Sequence, residues 1–303
     1  MPKPKMNGFE IRVIAREEWS VLLTLMRGFD AAGTLGFPMT EKTLWKHTFG
    51  DLDYLSECLL GAYVDGSLVA CGMGIIRPWR STDRGFIKFI HGTAAQPLLL
   101  SELEQTLRRW GVKELIYGSS SPSYFTPGVP VADTITQTML RAADWEKSSE
   151  RLSLSVAVER VELPACSVVV TEVGATERAA TLHFIEQNFS ASWAKESLPA
   201  LQGEERAFCA IIQRACGEII GFAAMHATNP NWFGPMGVKT EERGKGLGYA
   251  LLHHVFTRLR REQTEQVILP WINDKIDFYE KTLGKPACTP IVFKKFSKFL
   301  RFD

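Results

Sequence analysis

Trp232-Phe233-Gly234-Pro235-Met236-Gly237-Val238, then Arg243-Gly244-Lys245-Gly246-Leu247-Gly248, then Tyr249-Ala250-Leu251-Leu252-His253-His254-Val255-Phe256, reads as a strand, a glycine-rich turn and a helix. Gly244, Gly246 and Gly248 stand at alternate positions, where the backbone can approach a ligand without Cβ obstruction. They fall where the first turn of a helix leaves amide N–H groups unpaired and the helix dipole adds partial positive charge. Such an end accepts phosphate or pyrophosphate. The stretch is a candidate cradle for a nucleotide-type cofactor. Gly234 and Pro235 are poor sheet residues, so the strand before the turn is expected to be bulged or splayed.

The pattern Arg-x-x-Gly-x-Gly on Arg243, Gly246 and Gly248 resembles the acetyl-CoA pyrophosphate loop of the GNAT acetyltransferase superfamily. The order that follows also matches: Gln266-Val267-Ile268-Leu269-Pro270 as the next strand, then Phe278-Tyr279-Glu280-Lys281-Thr282-Leu283-Gly284. The last segment departs from the family's Phe-Tyr-Glu-Lys-Leu-Gly by one inserted residue, Thr282. The resemblance implies an α/β fold with a mixed, mainly antiparallel sheet and helices on both faces. It implies acetyl-CoA as co-substrate, its pyrophosphate on the backbone N–H groups of Arg243, Gly244, Lys245, Gly246, Leu247 and Gly248, with Phe278 on the cofactor side. Met236, Gly237 and Val238 match the strand that pairs with the pantetheine arm. Asn273 matches a position whose side chain often bonds that arm; from the residues alone, Asn273-Asp274 is equally an N-cap for the next helix. Tyr279 matches the tyrosine near the thioester sulfur that serves as general acid. A phenol of pKa ~10 keeps its proton at neutral pH and can release it transiently.

The strand before the loop carries no carboxylate to act as general base; Trp232 stands about where one is expected. His226, closing the preceding strand at residues 221–226, is the substitute, because imidazole titrates in the working range. A structural histidine is the competing interpretation. Trp193, Trp232 and Trp271 could line an acceptor pocket, although aromatics more often serve packing.

A chain of 303 residues, 45% hydrophobic and 23% charged, suits two domains of ordinary size. Both halves have the same punctuation. Asp65-Gly66 and Cys216-Gly217-Glu218 each sit between strand-like runs, and a strand, a helix (residues 98–110 and 247–259) and another strand follow. The expected organisation is a tandem of GNAT-like units, residues 1–163 and 164–303. Residues 152–158 alternate as the last strand of the first unit; residues 168–170 open the second, and residues 176–188 form its first helix with Thr176 as N-cap. In the first half, His91-Gly92-Thr93-Ala94-Ala95-Gln96-Pro97 replaces the glycine loop, so that unit is expected to lack a cofactor.

A net charge of +1 gives no reason to expect nucleic acid or an anionic membrane as partner. The lysines at 294, 295 and 298 suit an edge strand. Six cysteines show no metal-site or CxxC spacing and suit a reducing cytoplasm. Met1-Pro2-Lys3-Pro4-Lys5-Met6 is not followed by an apolar run, so no signal peptide is expected. The expected activity is acetyl transfer from acetyl-CoA to a primary amine of a small molecule. The alternatives are a non-catalytic acetyl-CoA sensor and an acyltransferase with another donor. Oligomeric state is not legible in the residues.

Overall fold

The computed structural model of the chain describes residues 8–29, 35–79, 81–204 and 206–301. The segment Met1 to Met6 lies outside the described residues. Two compact units result: Met1–Arg151 with Val292–Asp303, and Leu152–Ile291. The division differs from the expected 163/164 boundary in two ways. It falls earlier, and the end of the chain returns to the first unit.

The first unit runs β1 (Glu10–Val13), α1 (Trp19–Met26), α2 (Glu41–His47), β2 (Leu59–Val64), β3 (Ser67–Arg77), β4 (Ser81–Gly92), α3 (Gln96–Arg109), β5 (Glu114–Tyr117), β6 (Val129–Pro130), α4 (Thr134–Ala142) and the start of β7 (Glu146–Ala157). Strands β1 to β4 are antiparallel neighbours, and β4 pairs parallel with β5. The β2–β3 turn has Asp65 and Gly66 at φ 47° and 79°, the left-handed backbone a two-residue hairpin requires. Helix α3 buries Leu99, Leu103 and Leu107, one stripe at helical spacing, in a core with Leu60, Ile87 and Phe296.

The second unit runs from the end of β7 through β8 (Thr171–Glu172), α5 (Arg178–Asn188), α6 (Ala191–Gln202), β9 (Phe208–Gln213), β10 (Ile219–Met225), β11 (Phe233–Val238), α7 (Leu247–Arg261), β12 (Gln266–Leu269) and α8 (Ile276–Leu283) into β13 (Cys288–Phe299). Its antiparallel sheet has the order β11-β10-β9-β8. One face packs on α7 through Leu251, Val255 and Phe256; the other packs on α5 and α6 through Phe184, Ile185 and Leu201. Helices thus cover both faces, as the resemblance implied.

Several expected boundaries shift. The helix expected from Thr176 starts at Arg178, after Glu177, with no side-chain cap, and the strand expected at 168–170 is the short β8 at Thr171–Glu172. The run at 152–158 does not close the first unit: Leu154 to Ala157 pair with Leu269 to Gln266 of β12, within the second. In return, residues 293–299 of β13 pair with β6 and β5 in the first. The lysine-bearing terminal segment is therefore interior to a sheet and not an edge, and Phe296 on it is fully buried. No described helix is long and apolar enough to cross a membrane.

Candidate active site

Strand β11 is an edge of its sheet, and its free side is what the site is built on. It meets β12 at a single parallel bridge, Trp232 to Ile268, supported by Ile268 N–H donating to the Asn231 carbonyl at 2.9 Å. Beyond that bridge no further pairing joins the two strands among the described residues. Opposite β10 the register runs Gly221 to Val238, Phe222 to Gly237 and Ala223 to Met236, then Met225 to Phe233. One residue of β11 is extra there, so the bulge expected at Gly234-Pro235 is present. Lys239 N–H donates to the Ile220 carbonyl at 2.9 Å. Antiparallel pairs alternate between bonded and non-bonded, so Phe222–Gly237 is a bonded pair while Met236 and Val238 turn their N–H and C=O groups to the open edge. Arg243 Nε donates to the Val238 carbonyl from that side at 3.3 Å. The sequence singled out Met236, Gly237 and Val238 together; the structure separates two edge-facing residues from a glycine bonded inward.

Gly237 is glycine for a packing reason. A Cβ there would lie 2.4 Å from the Phe189 ring. Phe189, at the end of α5, stacks on Trp193 of α6 at 5.3 Å and 22°, and it packs against Phe222 and Phe184. Sequence spacing offered no signal for this contact.

After β11 the chain makes a short 3-10 turn and passes through Gly244 (φ 80°) and Gly246 (φ 78°) into α7. Both positions are left-handed, and a Cβ at either would meet nothing within 4 Å, so open space borders the loop there. Gly246 is the N-cap of α7 and provides no side-chain cap; Ala250 N–H bonds the Gly246 carbonyl, leaving the amides of Leu247, Gly248 and Tyr249 without an intrahelical acceptor. A left-handed loop with an uncapped helix start suits an anion as bulky as a pyrophosphate, so the residues present fit the cofactor the resemblance implied. Arg243 and Lys245 are exposed. Lys245 Nζ reaches Glu242 at 2.9 Å, Arg214 pairs with both Glu242 and Glu218, and Lys239 reaches Glu218 at 2.6 Å. This chain of charges ties the loop to the β9–β10 turn. Hydrogen bonds from Arg214 and then Lys245 hold Glu242 below the usual carboxylate range.

Helix α8 approaches the same loop. Phe278 lies against Gly248, where a Cβ would come within 3.1 Å of its ring, and it meets Tyr279 edge-on at 5.1 Å. Tyr279 is buried and contacts Phe233 of β11 edge-on at 6.5 Å. Phe278 and Tyr279 thus link the start of α7 to β11. Burial pushes the Tyr279 phenol well above its ordinary value, so it keeps its proton throughout the neutral range.

Two candidates have other work in the structure. His226 is buried, at φ 57°, and its Nδ1 accepts from Asn231 N–H at 2.9 Å. Its Nε2 lies 3.7 Å from Glu262, too far for a hydrogen bond. Burial, reinforced by Arg206, lowers its pKa to about 4. The neutral ring has a single lone pair, and the loop between β10 and β11 already takes it. Asn273 does not cap α8; its Oδ1 accepts from Leu152 N–H at 3.0 Å and fastens the turn after β12 to β7. Of the tryptophans, Trp232 is fully buried and Trp193 is the one beside β11.

The corresponding corner of the first unit is filled from within. Strand β4 has a bulge at Lys88, between the pairs Met73–Phe89 and Gly74–Ile87. Lys88 Nζ bonds Asp51, which also pairs with Arg77; all three side chains are at most 1% exposed. Burial lowers the Lys88 pKa to about 8 even with Asp51 opposing it. Tyr117 of β5 donates no edge to a ligand: its hydroxyl accepts from Ile90 N–H at 3.1 Å. Only residues 93–95 separate β4 from α3, whose N-cap Ala95 is left-handed like Gly246.

Residues 178–284 match the model of the acetyltransferase (GNAT) family. That match lies within the second unit, Leu152–Ile291. GNAT enzymes acylate acceptor substrates and typically use acyl-CoA. No curated protein matches the sequence. Among solved structures, the chain is similar over 97% of its length to the whole of a tandem GNAT protein from the clavulanic acid biosynthesis pathway (TM-score 0.70, 15% identity). A GCN5-related glucosamine N-acetyltransferase region in a fungal multi-domain β-N-acetylglucosaminidase matches 98% of the chain (TM-score 0.69, 14% identity), which spans 38% of that longer protein. The N-myristoyltransferase of Saccharomyces cerevisiae with bound myristoyl-CoA matches 100% of the chain and 81% of its own (TM-score 0.62, 10% identity). At these identities the likeness concerns the fold, a tandem-GNAT α/β architecture over the whole chain.

Proposed function

We propose that the second unit is an acetyl-CoA-dependent N-acetyltransferase that acts on a primary amine of a small molecule, with one acyl-CoA per chain. The observation that carries this reading is the open edge of β11 at Met236 and Val238, beside the left-handed Gly244–Gly246 loop and Tyr279. Bound acyl-CoA supplies a thioester carbonyl, which the amine nitrogen attacks as the C–S bond breaks and the sulfur leaves. The N–H groups of the loop and of the first turn of α7 hold the phosphates. The edge groups of Met236 and Val238 pair with the amide-bearing arm, as a neighbouring strand would. Tyr279 presents its phenolic proton to the departing sulfur, and the proton lost from nitrogen balances the one gained by sulfur. No external base is needed when the amine arrives neutral, which fits a strand β11 without an ionisable side chain and a His226 whose lone pair is already taken. All six cysteines are free, which supports action in a reducing compartment such as the cytoplasm.

Calorimetric titration with acetyl-CoA tests the site. Saturation at one per chain and a loss of affinity of about tenfold or more in a folded Gly246→Val variant are expected, since a β-branched residue is strained at φ 78°. Two equivalent sites, or unchanged affinity in the variant, would refute it. The sensor alternative is favoured by one observation, that β11 carries no ionisable side chain. Tight binding without thiol release across a broad amine panel is the result that would select it.

A further inference from the structure

The Phe189–Trp193 stack rests on the strand whose open edge is proposed to hold the donor. Its location follows from the alternation of β11. Met236 and Val238 send their side chains into the core shared with α7, whereas Gly237 faces α5 and α6. The loop and the Gly248–Phe278 contact lie on the α7 side. A donor held by the loop and the edge of β11 would enter from that side and, continuing past the strand, bring its acyl end to the α5–α6 face. There it meets Phe189, already in contact range of the Gly237 backbone.

The ring cannot retreat. Trp193 stacks on it at 5.3 Å, Phe222 lies at 5.4 Å and Phe184 at 5.8 Å, with the β11 backbone beneath. The base of the stack is fixed as well: Ser190 is the N-cap of α6 and its Oγ accepts from Trp193 N–H at 3.1 Å. Phe184 and Phe222 are buried, while Phe189 and Trp193 remain half-exposed. Interiors are close-packed, so displacing one ring of this group requires moving the others.

We infer that Phe189 and Trp193 form a fixed aromatic wall that restricts the second unit to short acyl donors, which makes them specificity-determining residues. The inference rests on the proposed use of acyl-CoA at β11. It concerns the donor's chain length, which the GNAT fold alone does not set.

The test is the affinity of the full chain for CoA, acetyl-CoA, butanoyl-CoA and octanoyl-CoA, measured by calorimetry, which needs no acceptor. Wild type should bind acetyl-CoA at least about tenfold more tightly than octanoyl-CoA, the scale at which pockets discriminate added methylenes. Phe189→Ala and Trp193→Ala should raise octanoyl-CoA affinity relative to acetyl-CoA by about tenfold or more. Phe184→Ala, which removes a support behind Phe189, should lower stability and shift the ratio the same way by a smaller factor. If Phe189→Ala does not fold, Phe189→Leu keeps apolar packing with a smaller side chain and should shift the ratio the same way. Equal affinities for all donors in wild type, or an unchanged ratio in folded variants of both rings, overturn the wall. Absence of binding by CoA and every acyl-CoA instead overturns the acyl-CoA reading itself.

Discussion

Strands β4 and β11 lead through the same corner and end differently. Each carries a bulge, each precedes a helix with a left-handed N-cap, and each has a parallel neighbour that starts alongside it. Backbone polar groups on a splayed strand must find a partner, and the two corners find different ones. In the first unit the hydroxyl of Tyr117 takes Ile90 N–H, and the bulge residue Lys88 is absorbed into an ion cluster with Asp51 and Arg77. In the second, β12 ends at Leu269, with Pro270 next, neither bearing a polar side chain, and the outward groups of Met236 and Val238 stay on the open edge of β11. The comparison teaches that the same splayed corner can be filled by the chain's own side chains or left open without a change of fold.

Four substitutions break or sharpen the contrast. The largest effect should come from Asp51→Asn, which leaves the fully buried Lys88 without a counter-charge and Arg77 with Asp53 alone. Denaturant melts should show a loss of about 3–5 kcal/mol, with acetyl-CoA stoichiometry unchanged. A loss under about 1 kcal/mol would mean that the charges do not hold the corner. Next, Tyr279→Phe keeps the ring against Phe233 and removes the proton: kcat should fall on the order of 10² with acetyl-CoA affinity little altered. Undiminished turnover removes Tyr279 as the acid. Tyr117→Phe is its counterpart in the filled corner. It leaves a buried N–H unpaired, at about 1–3 kcal/mol, and should leave kcat unchanged.

The smallest effect is a pH slope at His226. Its pKa falls from 6.5 in the unfolded chain to about 4 in the folded one, because burial disfavours the charged ring. Between those values the unfolded chain binds the extra proton, so stability drops as pH falls from 6.5 toward 4, by at most about 1.4 kcal/mol per pH unit. His226→Asn keeps an acceptor for Asn231 N–H and tolerates the left-handed backbone, so it should flatten that slope. A variant with the wild-type slope assigns the titration elsewhere.

Local chemistry was legible in the chain. The glycine loop, the Asp65-Gly66 turn, the bulge at Gly234-Pro235 and the α7 stripe all depend on spacings of a few residues. Of the residues singled out, Gly248 lies against Phe278, which meets Tyr279, because the α7 start and α8 are adjacent. His226 and Asn273 were read for chemistry because their types suit it. Their partners, Asn231 N–H and Leu152 N–H, are backbone groups that no side-chain pattern announces.

The sequence by itself determined that residues 232–284 make a strand, a left-handed glycine turn, a helix and an aromatic pair. Glycine's freedom at positive φ, the unpaired amides of a helix start and the 3.6-residue period operate within a few residues of chain. Only the tertiary structure decided that residues 293–299 close the first unit's sheet while residues 154–157 join the second's. It alone decided that Tyr117 seals one edge and that Phe189 rests on Gly237 beside the other. Those outcomes are pairings between segments distant in sequence. Burial and the demand of every buried N–H for a partner select among them, and neither quantity exists until the chain has folded.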